Sequence, residues 1–133
     1  MATPMIRTVV VDDEPLARAR LRTFLGAIDD VELVGEAGNG KEAVSLFCTL
    51  KPHMLLLDIN MPLKSGKEAL SDIKRRFPNA CVIMLTSLTD KETVEDCIEL
   101  GASGFIRKDL PLDEMRDVIK QTWHAYRESL KAD

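Results

Sequence analysis

Five short runs dense in aliphatic and β-branched residues punctuate the chain, at Ile6 to Val11, Glu32 to Ala37, Met54 to Asp58, Val82 to Thr86 and Gly104 to Arg107. Several stretches within them carry no polar position, as in Val9-Val10-Val11, Leu55-Leu56-Leu57 and Val82-Ile83-Met84-Leu85. A strand that is apolar on both faces needs cover on both sides, so these read as interior strands of a parallel sheet. Between the runs the apolar spacing widens to that of helices, and the strand-helix alternation predicts an α/β domain.

The helical segments are individually legible. The first opens near Pro15, whose fixed φ suits a first helical position, and repeats apolar residues at Ala17, Leu21, Phe24, Leu25 and Ile28. A second carries Ala43, Val44, Phe47 and Leu50 after the turn-forming Gly38-Asn39-Gly40. A third, with Ala69, Leu70, Ile73 and Phe77, meets Pro78, which cannot continue a helix. The fourth has a thin stripe, Val94, Cys97 and Ile98, and stops at Gly101. The fifth aligns Met115, Val118, Ile119, Thr122, Trp123 and Tyr126, then runs into charged residues.

Length and charge narrow the picture. With 133 residues the chain suits one core, taken as residues 1–126, with 127–133 as the end of the last helix or the start of a linker. No apolar run approaches the roughly 18 residues of a membrane span, and Met1-Ala-Thr-Pro-Met does not resemble a secretory signal, so a cytoplasmic location is expected. Cys48, Cys81 and Cys97 are odd in number and widely spaced, which suits reduced, mostly buried thiols. The net charge of −4 and the scattered Lys and Arg residues argue against direct nucleic-acid binding.

The informative feature is a set of polar groups at one end of four strands. Asp12 and Asp13 follow the first run, Asp58 ends the third, Thr86 ends the fourth and Lys108 follows the fifth. In a doubly wound sheet ligands bind beyond the carboxyl ends of the strands, where the strand order switches. For the flavodoxin-like order 2-1-3-4-5 that switch lies between strands one and three, bringing Asp12 and Asp13 beside Asp58. Crowded carboxylates repel unless one is protonated or a cation neutralises them. A hard divalent ion answers this, magnesium (Mg2+) first and manganese as a substitute, because it accepts carboxylate and phosphoryl oxygens together. Asp58 then qualifies as a nucleophile toward phosphorus, with Lys108 as a point charge and Thr86 as a hydroxyl donor.

Taken as an ordered set, Val11-Asp12-Asp13-Glu14-Pro15, Leu57-Asp58-Ile59-Asn60-Met61-Pro62, Leu85-Thr86-Ser87 and Gly101-Ala102-Ser103-Gly104-Phe105-Ile106-Arg107-Lys108 resemble the response-regulator receivers over almost the whole chain. The resemblance implies a flavodoxin-like (βα)5 three-layer sandwich and a two-component or phosphorelay switch. It further implies that Asp58 accepts a phosphoryl group from a histidine kinase or phosphotransfer protein. Asp13 and Asp58 would ligate magnesium by side chain, Asn60 by its backbone carbonyl and Asp12 through water. Thr86 and Lys108 would sense the phosphoryl group, and Phe105 would change rotamer with Thr86. The implied output is a change of the α4-β5-α5 surface, with homodimerisation on phosphorylation as one form, and DNA contact only through an output domain outside this chain. The chain departs from many receivers at Leu63-Lys64-Ser65-Gly66, at Leu88, and at Asp109, where many have Pro.

Each residue also has a plain explanation. Asp12-Asp13 before Pro15 could serve as helix caps, Thr86 as a strand end, Lys108 as a solvated lysine and Phe105 and Trp123 as core. His53 and His124 read as structural or solvated. Two other functions compete: a haloacid-dehalogenase-like phosphohydrolase, which places a second Asp two residues after its nucleophile where this chain has Asn60, and a phosphorylation-independent scaffold. Similarity around Asp13 to Arg22 to receivers joined to LytTR-type domains, and at Lys108-Asp109 to those joined to LuxR-type domains, leaves the output open.

Overall fold

The computed structural model describes residues 5–87 and 91–131. Strands β1 (Ile6–Val11), β2 (Val31–Ala37), β3 (Met54–Asp58), β4 (Val82–Thr86) and β5 (Gly104–Arg107) alternate with helices α1 (Pro15–Gly26), α2 (Gly40–Leu50), α3 (Gly66–Arg76), α4 (Lys91–Glu99) and α5 (Leu112–Leu130). All pairings are parallel and the strand order is β2-β1-β3-β4-β5, the doubly wound arrangement expected from the sequence.

The all-apolar runs divide between two cores because successive side chains on a strand point to opposite faces. Val9, Val11, Leu55, Leu57, Val82 and Met84 pack with Phe47 of α2, Leu70 and Ile73 of α3 and Cys97 of α4. Val10, Met54, Leu56, Ile83, Leu85 and Ile106 pack with Leu21, Phe24 and Leu25 of α1 and Met115 and Ile119 of α5. The sheet is thus the middle of three layers. Each fully buried leucine of β3 contributes roughly 1.5–3 kcal/mol through removal from water.

Three local readings need adjustment. Ile28 lies beyond the end of α1 yet stays buried in the same core, because the chain turns directly into β2. Ile98 is 58% exposed: a nine-residue helix of mostly charged residues has a one-residue stripe, and Cys97 occupies it. Trp123 is half-buried at the edge of the α1/α5 core instead of within it.

The turn after β3 is fixed by two glycines. A side chain at Gly66 would collide with the backbone carbonyl of Asp58, and one at Gly40 with that of Lys64. Their amides tie the same turn down, Gly66 N–H to Ile59 O at 2.8 Å and Gly40 N–H to Lys64 O at 3.1 Å. Ser65 and Glu68 close a reciprocal capping box that starts α3 here.

Candidate functional site

The end of β1 delivers two adjacent acids to different environments. Asp12 is fully buried; its amide donates to Ala37 O at 3.1 Å, and its carbonyl accepts from Arg18 Nη1 at 2.6 Å. Its Oδ1 accepts from the Glu14 amide at 3.0 Å, a turn bond, while the residue capping α1 is Glu14, without a side-chain bond. Asp13 is exposed. The pair therefore does not act as a helix cap.

Asp58 ends β3 and is 4% exposed. Its Oδ2 accepts from Lys108 Nζ at 2.8 Å and its Oδ1 from the Asn60 amide at 3.3 Å. Lys108 is held just past β5 by its amide bond to Thr86 O at 2.9 Å, and its ammonium also lies 2.9 Å from Asp12 Oδ2. That second approach is an ion pair, and Asp12 Oδ2 is buried without a hydrogen-bond partner among the described residues. One oxygen from each of Asp12, Asp13 and Asp58 falls within 4.8 Å of the others.

Of the three carboxylates, Asp12 and Asp58 share the Lys108 ammonium. Burial pushes the Asp58 carboxyl up to about 6; the Lys108 hydrogen bond and charge pull it down, and the Asp12 charge pushes it up further. Burial also works against the Lys108 ammonium, but its pairing with Asp58 and Asp12 outweighs burial and raises its pKa. The residues fit a hard cation: an excess of negative charge, an all-oxygen donor set and a buried Asp12 oxygen that is ion-paired but lacks a hydrogen bond among the described residues.

Thr86 is buried, and among the described residues its hydroxyl makes only a long 3.5 Å contact to Ile106 O. Phe105 is half-buried against the α2/α3/α4 core, two residues along β5 from Arg107, the register partner of Thr86. The Lys108–Asp109 peptide is trans, and Leu88 lies outside the described residues. Two contributors escaped the sequence reading. Arg18 grips the Asp12 carbonyl, for which the sequence carries no distinctive signal. Gly66 supports the Asp58 backbone, and its signal was Ser65-Gly66-Lys67-Glu68, a capping-box spacing.

This geometry defines a carboxylate-lysine site at the topological switch of a doubly wound domain. The profile of the response regulator receiver domain matches residues 8–120, and the chain belongs to that family. It is 41% identical over 116 residues to a protein-glutamate methylesterase/protein-glutamine glutaminase of Methanococcoides burtonii, covering 86% of this chain and 33% of the relative. It is 31% identical over 118 residues to the response regulator protein VraR of Staphylococcus epidermidis, covering 89% of this chain and 56% of the relative. The chain thus spans between a third and somewhat over half of these relatives. Among solved structures, the response regulator domain of Thermotoga maritima CheB matches with a TM-score of 0.78 and 33% identity over 97% of this chain and 98% of that one. CheY of Borrelia burgdorferi, solved in a CheX-CheY-BeF3-Mg2+ complex, matches with a TM-score of 0.83 and 28% identity, covering 89% of each chain. No helix among the described residues is long and apolar enough to cross a membrane.

Proposed function

We propose that this receiver takes a phosphoryl group on Asp58 from a phosphohistidine of a histidine kinase or phosphotransfer protein in the cytoplasm. The observation that carries the reading is the joint approach of Asp58, Asp12, Asp13 and Lys108 at the carboxyl edge of the sheet. Asp58 Oδ attacks phosphorus; a P–O bond forms as the P–N bond breaks, and the electron pair leaves with the imidazole. Asp13 and Asp58 by side chain, Asn60 by its carbonyl and Asp12 through water would hold magnesium, which supplies neutralisation of phosphoryl charge. Asp12 and Asp13 hold that charge in place, and Lys108, now paired to Asp58 Oδ2, turns to the incoming phosphoryl oxygen. The Thr86 hydroxyl donates to another oxygen, drawing Phe105 after it.

The consequence is a changed α4-β5-α5 surface that acts on a partner, a second copy or a linked output domain. Residues 1–126 constitute the receiver and 127–133 the end of its last helix or a linker. Moving such a switch from 1:99 to 99:1 takes about 5.5 kcal/mol of differential stabilisation. Incubation with a radiolabelled phosphohistidine protein tests the reading: label should pass to the wild type with magnesium and stay on the donor with chelator or with Asp58→Asn. Retention of label by the donor in every condition would refute it.

A further inference from the structure

At the pole opposite Asp58, where the strands begin, an open groove of about 850 Å3 runs between the ends of α2, α3 and α5. Two aromatic pairs wall it: Phe47 and Phe77 with ring centres 5.0 Å apart, and Trp123 stacked on Tyr126 at 5.4 Å. The Tyr126 hydroxyl is tied to Asn79 O, and His53 accepts the Arg7 amide on Nδ1 at 2.9 Å, so the walls are braced. Nothing in phosphoryl transfer uses these residues.

The rim is cationic although the chain carries −4 overall. Lys51, Arg76 and Arg127 line the groove against one carboxylate, Asp30. Cations suit helix C-termini, and all three stand at or near one. The end of α2, however, is already answered by Arg7, which donates to Leu50 O at 2.9 Å and Lys51 O at 3.3 Å. Lys51 and Arg127 have no ion-pair partner among the described residues, and Arg76 donates only to the Cys48 thiol at 3.3 Å. Surplus positive charge around an aromatic floor complements a molecule that is flat, apolar and anionic, and the volume falls within the range of small-molecule sites.

We infer that this groove is a second binding site, for a small amphipathic anion consisting of an aromatic body with one carboxylate, sulfonate or phosphate group. Trp123 is the sole tryptophan, so its emission reports occupancy directly. Titration with anilinonaphthalene sulfonate should quench Trp123 saturably, one probe per chain. Phenylnaphthylamine, the same ring system without the charge, should bind about tenfold more weakly. Arg76→Gln combined with Arg127→Gln, and separately Lys51→Gln, should weaken the sulfonate while circular dichroism and phosphoryl uptake by Asp58 stay unchanged. Absent or unsaturable quenching, equal affinity for the two probes, or undiminished binding by both variants overturns the inference. So does a dimer in sedimentation that the sulfonate dissociates, because a second copy would then be the occupant.

Discussion

At the residue scale, the site is a balance of charges in which each group sets the state of the next. Asp58 titrates near 6 because burial outweighs the help of Lys108, so without metal its ionisation costs stability at neutral pH. The folded-state pKa is raised, so the penalty is absent below the ordinary value of 3.8 and complete above about 6. In metal-free buffer, Asp58→Asn should therefore be more stable than wild type at pH 8 by on the order of 1–2 kcal/mol, allowing for solvent screening, with the gap closing toward pH 4. Urea unfolding at the two pH values measures this; a gap independent of pH would contradict it. Protons and metal also compete for Asp58, so magnesium affinity by calorimetry should weaken as pH falls through about 6. Asp13→Ala should weaken that affinity about tenfold or more, whereas Lys108→Ala should preserve or tighten it by removing the competing ammonium. Loss of magnesium binding in Lys108→Ala would show that the lysine organises the carboxylates.

At the element scale, stability and position come from different parts of the sequence. Gly66 lets α3 start directly beneath the Asp58 carbonyl, and Gly66→Ala forces that turn outward. A loss of about 1–3 kcal/mol in urea unfolding is expected, with a matching decline in phosphoryl uptake, since the displaced backbone belongs to the acceptor. An unchanged midpoint would mean that the turn yields freely. Helix α4 is the opposite case. Its one buried side chain is Cys97, and Ile98 points outward, so amides of 91–99 should exchange with solvent faster than those of α1 or α3. Equal protection across the helices would refute this. The thin Val94-Cys97-Ile98 stripe made that weakness visible in the sequence, but which of two adjacent residues would face the core depended on how α4 docks.

At the scale of the whole molecule, the covered parallel sheet was legible because Val9-Val10-Val11 and Leu55-Leu56-Leu57 demand cover on both faces, whereas the strand order came from the resemblance to the receivers. The convergence of Asp12, Asp13, Asp58 and Lys108 followed from their places at the strand ends once that order was taken. What the sequence did not reveal was long-range geometry without a periodic signature. The reach of Arg18 to the Asp12 carbonyl and the half-burial of Trp123 depend on how helices seat on the sheet, and spacing along one helix does not encode that. The aromatic and cationic groove at the far pole is of the same kind, assembled from the ends of three helices distant in sequence.

The central claim is that Asp58 is the acceptor, and intact-mass measurement addresses it most directly. With magnesium and a small acyl phosphate, the wild type should gain the mass of one phosphoryl group, stable in acid and lost in base, and Asp58→Asn should gain none. No gain by the wild type, or an equal gain by Asp58→Asn, would contradict the account.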